Sequence, residues 1–314
     1  YGCDEAWLDV SDSISLKGDG RKIADEISVR VKKELGITVS EGISWNKIYA
    51  KLGSDYKKPD AITEFNRENY KSLIWKLPAS DLLYVGRSTN RTLSKYGIHT
   101  IGDLACPNPD FLLKTLGKMG LVIHSFANGW DESPVATEGY SAPIKSIGNS
   151  TTTPRDLEND LDVQIIFMAL AGSVSARLRK HGFKCNTVAI SIRDNSLYHF
   201  SRQMHLREPT DITDEIMNAA MELFRNNYDW SHPIRSLGVR GADLVTADIP
   251  VQMSLFMNEE KRAKQEKMDK AVDEIRRRFG YFSIQRAFMY QDKILSKLDA
   301  QGSHTVHPVG YFAR

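Results

Sequence analysis

Thr187-Val188-Ala189-Ile190-Ser191-Ile192-Arg193 is followed by Asp194-Asn195-Ser196 and then by Tyr198-His199-Phe200-Ser201-Arg202-Gln203-Met204-His205-Leu206. Apolar and polar residues alternate along both arms, and Asp-Asn-Ser is turn chemistry, so the stretch predicts an antiparallel hairpin with one buried face. Outward from the hairpin the period changes. Residues 145–152 read as a strand, 157–181 as a long apolar helix, 213–226 as a second helix and 234–240 as a last strand. The order β-α-β-β-α-β predicts a four-stranded sheet with two helices on one face, spanning residues 144–248.

The flanks read differently. Residues 1–64 are expected to be α/β. They carry a strand near 7–10, a turn at Gly18-Asp19-Gly20 and a helix over 21–35 with Ile23, Ile27, Val31 and Leu35 on one face. A strand-like 37–39 follows, then a short helix over 46–54 capped by Gly42-Ile43-Ser44 and stopped at Lys58-Pro59-Asp60. Residues 65–135 read as short helices broken by Gly and Pro (66–77, 88–96, 100–106, 109–116 and 121–130), without a strand pattern. Gly139, Ser141 and Pro143 mark 136–143 as a linker. In the tail, 249–314, residues 258–279 predict a highly charged, solvated helix with Met268, Val272 and Ile275 on one face. The expected fold class is α+β.

At 314 residues the chain suits two or three domains. With 41% hydrophobic and 26% charged residues it is not of the disordered, collagen-like or disulfide-scaffold classes. No apolar run is long enough to span a membrane, so no membrane partner is expected. The opening Tyr1-Gly2-Cys3-Asp4-Glu5 carries no secretory pattern, and Cys3, Cys106 and Cys185 are too scattered for a disulfide framework; both point to a reducing cytoplasm. The opening also reads as the interior of a domain, and an N-terminal part is expected upstream of it.

Lys plus Arg total 42 and Asp plus Glu total 40, so placement of charge matters more than its sum. The strand segments of the β-α-β-β-α-β unit hold Lys145, Arg155, Lys184, Arg193, Arg202, Arg207, Arg235 and Arg240. Its helices hold Asp156, Glu158, Asp160, Asp162, Asp211, Asp214, Glu215 and Glu222. Opposite signs on opposite layers predict a cationic sheet face of the kind that tracks a nucleic-acid backbone. The alternative is the ordinary solvated face of a half-buried sheet.

Two further patterns carry chemistry. Asp4-Glu5 is a pair of adjacent carboxylates that suits a hard divalent cation, or else a solvated acidic loop. Gly42-Ile43-Ser44-Trp45-Asn46-Lys47 with Lys51 and Lys58 brings ammonium groups together, as a phosphate site or as a basic helix face.

Asp4-Glu5-Ala6-Trp7-Leu8-Asp9, followed by Gly-Ile-Ser-x-Asn-Lys-x-x-Ala-Lys-x-x-Ser-Asp-x-x-Lys-Pro from Gly42 on, resembles the palm of the Y-family, lesion-bypass DNA polymerases, in their UmuC-like and DNA-polymerase-IV-like bacterial branches. The resemblance covers nearly all of residues 1–256. It implies a partial palm over 1–64, a helical thumb over 65–135 and a little-finger domain over 144–248. It also implies nucleotidyl transfer with two Mg2+ ions, deoxynucleoside triphosphates and primer–template DNA as partners, and a cytoplasmic, nucleoid-associated place.

Asp4 and Glu5 match the second and third of the family's metal-binding, catalytic carboxylates, and Lys58 matches its triphosphate-contacting lysine. Lys47 and Lys51 stay open between helix face and phosphate contact. The first carboxylate, the fingers and the aromatic steric gate would precede Tyr1, so the chain alone is expected to bind primer–template but polymerise poorly. Leu83-Tyr84-Val85-Gly86-Arg87-Ser88-Thr89 resembles a helix-hairpin-helix, in which backbone N–H groups at Gly86, Arg87 and Ser88 receive a DNA phosphate; Arg87-Ser88 departs from the usual second half. Arg235 and Arg240 resemble phosphate ligands on the little finger's last strand. Gln252-Met253-Ser254-Leu255-Phe256 resembles a sliding-clamp peptide, with Leu255 and Phe256 for an apolar cleft and the Gln252 amide for register. The alternative is a non-catalytic DNA-binding or clamp-associated module.

Overall fold

The computed structural model describes residues 2, 4–140, 143–248 and 259–300. The chain divides into two compact units at Tyr140, and each is described by itself.

The first unit begins with α1 (Ile14–Lys17) and α2 (Gly20–Leu35), which the Asp19 side chain caps by accepting from Lys22 N. β1 (Glu41–Ile43) and β2 (Ile62–Glu64) pair in parallel, with α3 (Lys47–Tyr56) between them in sequence. Glycine decides how closely strand and helix meet. A Cβ on Gly42 would lie 1.8 Å from the Ala50 carbonyl oxygen, and one on Gly53 only 3.0 Å from Gly42 Cα. No side chain fits there. The short helices α4 (Tyr70–Leu73), α5 (Arg87–Ser94), α6 (Ile101–Ala105), α7 (Pro109–Leu116) and α8 (Lys118–Ala127) follow. One apolar cluster runs from Ile48, Tyr49 and Leu52 on α3 through Ile74 and Leu93 to Phe126 and Ala127 on α8. The division expected at residue 64 therefore separates no cores.

Several local expectations need correction. Residues 5–10 form no strand; Trp7 instead donates its indole N–H to the Lys47 carbonyl at 2.9 Å. Nor do 37–39, because only Glu41–Ile43 finds a paired strand among the described residues. The cap of α3 is Asn46, accepting from Tyr49 N, rather than Gly42-Ile43-Ser44. The helix expected over 66–77 shrinks to α4 and a 3-10 turn. Asn66 Oδ1 accepts from Glu68 N and Asn69 N, and these Asx bonds compete with an earlier helical turn.

In the second unit β3 (Ser146–Leu157), α9 (Asp160–Lys180), β4 (Phe183–Asp194), β5 (His199–Thr210), α10 (Thr213–Asn227) and β6 (Ile234–Thr246) build an antiparallel sheet of spatial order β3-β6-β4-β5. Ile147, Val188, Ile190, Ile192, Leu237 and Val239 point to the helix side and close a core with Ile166, Phe167, Leu170, Met221 and Phe224. α9 has the length and apolarity of a membrane span, but most of it is buried in this core.

α11 (Glu259–Phe279) is not the solvated helix expected. Arg262 and Asp269 are buried, and Met268, Val272 and Ile275 are half-buried. Charge, not only apolar area, docks it. Arg262 pairs with Glu208 and Glu215 at 3.1 and 2.8 Å, and Arg179 pairs with Asp269 and Asp273 at 3.2 and 2.7 Å.

Candidate functional site

Asp4 and Glu5 lie where the chain runs alongside α3. Trp7 fixes one point of that run through the Lys47 carbonyl, with Lys47 Nζ 5.7 Å from its ring centroid. One helical turn on, Lys51 Nζ donates to Glu5 Oε1 at 2.7 Å and to Asp55 Oδ2 at 2.8 Å. Lys58 Nζ lies 2.6 Å from Asp55 Oδ1. Four side chains of alternating sign thus line up as Glu5–Lys51–Asp55–Lys58. Burial disfavours the Lys51 charge, but its bonds to Asp55 and Glu5 outweigh that and raise its pKa. Burial likewise pushes Asp55 up, while Lys51 and Lys58 pull harder and hold it below the usual carboxylate range.

The two acids also converge. A methyl group on Gly2 would sit 3.1 Å from Asp4 Oδ1 and 3.8 Å from Glu5 Oε2, so one oxygen of each carboxylate faces the same small volume. Hard oxygen donors side by side fit a cation such as Mg2+. Among the described residues no set of three His, Cys, Asp or Glu side chains forms a fuller metal site, so this pair supplies part of a coordination sphere.

The lysines divide. Lys47 Nζ donates to the Pro134 carbonyl at 2.9 Å, and burial lowers its pKa against the pull of Asp131. That is a packing role. Lys51 is committed to two carboxylates, and Lys58 keeps half of its side chain exposed. Trp45, Asn46 and Tyr49 donate to the carbonyls of Gly129, Gly129 and Ala127 at 3.3, 2.9 and 3.0 Å, so much of the Gly42–Lys47 motif ties α3 to the end of α8. Sequence reasoning missed the Lys51–Asp55 link, although its i,i+4 spacing is visible.

Gly86 precedes α5 as its N-cap, and no side chain caps the helix there. Gly86, Arg87 and Ser88 are exposed, φ at Gly86 is −74°, and a Cβ on it would meet nothing within 4 Å. Neither backbone conformation nor internal packing requires glycine at this point. Uncapped N–H groups at an open helix start suit an anionic oxygen. A 3-10 turn, Ala79–Asp81, stands where the first helix of the hairpin was expected.

The outer face of the second unit's sheet is narrower in charge than expected. Strand pairing sets Ser150, Gly238, Ser191 and Ser201 in one row and Gly148, Arg240, Ala189 and Gln203 in the next. Arg193 lies beyond Ser191 on the same face. Arg202 pairs with Ile190 and belongs to the opposite face, over the Phe200 ring. Arg155 is neutralised by Asp162 and Asp292 at 2.7 and 2.6 Å, and Lys184 by Glu266 at 3.2 Å. Arg235 sits at the irregularity between Arg193 and Asp194 pairing, 3.9 Å from Asp156. What remains is a small-residue trough holding Arg240 and Arg193, with a groove of about 730 Å³ along it. Arg177 and His181 line this groove from α9, and Arg177 donates to the Gly148 carbonyl at 2.5 Å. Their place on a long apolar helix left no periodic signal. Gln252, Leu255 and Phe256 lie outside the described residues.

Comparison with known proteins gives one answer throughout. Residues 1–55 match the impB/mucB/samB family, and residues 144–255 match the impB/mucB/samB family C-terminal domain. DNA polymerase IV of Acetivibrio thermocellus is 51% identical over 298 residues, 95% of this chain and 75% of the relative. DNA polymerase IV of Moorella thermoacetica is 34% identical, covering 91% of this chain and 70% of the relative. DNA polymerase IV 2 of Bacillus subtilis is 35% identical with the same coverage, 91% and 70%. Among solved structures a Y-family DNA polymerase chimera superposes with a TM-score of 0.62 at 19% identity, over 76% of this chain and 68% of that one, a likeness of fold.

Proposed function

The chain belongs to the DNA polymerase IV group of the impB/mucB/samB, or Y-family, DNA polymerases, and from that premise we propose that Asp4 and Glu5 are carboxylates of its two-Mg2+ nucleotidyl-transfer site, with Lys58 the triphosphate contact. The activity is DNA-directed DNA synthesis of the lesion-bypass kind. One observation carries the assignment of residues: Asp4 Oδ1 and Glu5 Oε2 face a common volume while a line of ion pairs leads from Glu5 to Lys58.

When bound, Mg2+ lowers the pKa of the primer 3′-hydroxyl and neutralises charge on the departing pyrophosphate. The chain's own residues do the rest. Asp4 and Glu5 hold oxygen ligands in a fixed relation, Glu5 by its bond to Lys51. Lys58 exchanges Asp55 for a phosphate oxygen when a deoxynucleoside triphosphate enters, and Asp55 stays paired with Lys51. Gly86, Arg87 and Ser88 offer backbone N–H groups and a guanidinium to a phosphate of the primer–template. Arg240, and Arg235 at the sheet's irregular end, contact the backbone without reading sequence. Gln252, Leu255 and Phe256 form a peptide for a sliding clamp.

Asp4→Ala with Glu5→Ala is expected to abolish extension of a primed template in the full-length protein and to leave primer–template affinity unchanged, read by fluorescence anisotropy. Retained extension would overturn the catalytic assignment. A joint loss of extension and affinity would assign the two acids to folding instead.

A further inference from the structure

The two oxygens of Glu5 have different surroundings. Oε1 accepts a hydrogen bond from Lys51 Nζ at 2.7 Å, whereas Oε2 is the oxygen turned toward Gly2 alongside Asp4 Oδ1. Lys51 is poorly placed to move away. Its side chain is 18% exposed, and its ammonium is also bonded to Asp55, which Lys58 holds from the other side at 2.6 Å.

This asymmetry bears on which cation the site accepts. Mg2+ demands near-ideal octahedral geometry and keeps several waters, so it takes one oxygen from a carboxylate. Ca2+ takes more ligands at longer distance and accepts a carboxylate through both oxygens. Two-oxygen binding at Glu5 would draw the cation toward Oε1 and hence toward the Lys51 ammonium, where like charges repel at short range. One-oxygen binding through Oε2 leaves the ammonium undisturbed. We propose that Lys51 is a positioning residue that restricts Glu5 to one-oxygen ligation and thereby makes the site select Mg2+ over Ca2+. The inference rests on the reading of Glu5 as a metal ligand and adds to it a determinant of metal choice.

Metal binding without turnover tests it. Mn2+ bound to the protein is followed by electron paramagnetic resonance and displaced by Mg2+ alone or Ca2+ alone. Lys51→Met is expected to raise the ratio of Ca2+ to Mg2+ affinity by about tenfold, the lower end of what removing a ligand's hydrogen-bond partner does. Lys51→Arg, which keeps charge and donor, is expected to hold the ratio near that of the unaltered protein. Lys51→Ala carries the same expectation as Lys51→Met should the longer apolar side chain prevent folding.

An unchanged ratio, or equal shifts in both affinities, would overturn the inference, since a bare charge effect moves the two cations together. Glu5→Gln separates the two levels of reading. If it leaves Mn2+ binding unaltered, Glu5 is no ligand and the catalytic assignment falls. If it weakens Mn2+ binding while Lys51→Met leaves the ratio alone, only the role of Lys51 falls.

Discussion

Glu41 on β1 buries its Oε1 without a hydrogen-bond partner among the described residues. Burial, then the nearby charge of Asp25, pushes its carboxyl up to about 7. A raised carboxylate pKa means that the folded state prefers the proton. Between the ordinary Glu value of about 4.3 and about 7, rising pH forces a disfavoured charge onto the folded chain, and the first unit loses stability across that window. Glu41→Gln is therefore expected to raise the thermal midpoint of that unit near pH 8 and to leave it unchanged near pH 4, by calorimetry. A gain of equal size at both values would refute the ionisation account. Around Glu41 the sequence was partly legible. The motif from Gly42 to Lys47 stood out as functional, yet Gly42 is there for the approach of β1 to α3, and Trp45, Asn46 and Tyr49 for the carbonyls ending α8.

Among the elements, α11 departs most from its reading. A helix of mixed charge normally offers its ionic residues to water, and nothing local in Glu259–Phe279 says otherwise. Its partners are far away in sequence. Asp269 Oδ2 accepts from Thr213 N at 2.8 Å at the start of α10, where no side chain of α10 itself serves as cap, and it also meets Arg179 of α9. Arg286, beyond the helix, pairs with Asp214 at 2.9 Å, and Asn149 donates to the Ala300 carbonyl at 2.5 Å. Asp269→Ala should lower the stability of the second unit by about 3 kcal/mol in chemical denaturation. It removes a cap and half of a buried pair, though Asp273 still holds Arg179. A loss under about 0.5 kcal/mol would mark α11 as an ornament on the unit. Arg155 extends the same logic. Its guanidinium, with two backbone N–H groups, holds Asp292 below the usual carboxylate range, so this tie persists in neutral solution and fails only as pH falls through that lowered value.

At the scale of the whole molecule, two units each close a core of their own, and their division at Tyr140 falls within the stretch from 136 to 143 whose Gly, Ser and Pro content marks a connection. The chain carries a formal charge of only +2, so affinity for a polyanion depends on which cations have no internal carboxylate. Arg155 and Lys184 are spent on acids, while Arg240 stands in the small-residue trough of the sheet. Arg240→Ala should weaken primer–template binding to a similar degree on unrelated sequences and reduce the salt dependence of log affinity by about one ion. An unchanged salt slope would remove Arg240 from the phosphate contacts. Arg155→Ala, by contrast, should act on stability and leave the slope alone.

Sequence alone determined what is periodic or local. The alternation of Thr187–Arg193, the apolar run of α9 and the spacing of short helices between Gly and Pro are decided by neighbours a few positions apart, so they can be read without coordinates. The adjacency of Asp4 and Glu5 is of the same kind. Only the tertiary structure decided which charges meet. Lys51 finds Glu5 across 46 positions, Arg262 finds Glu208 across 54 and Arg155 finds Asp292 across 137. An ionic side chain carries no periodic signature of its partner. Whether it faces a ligand or neutralises another residue is settled where elements distant in sequence pack together.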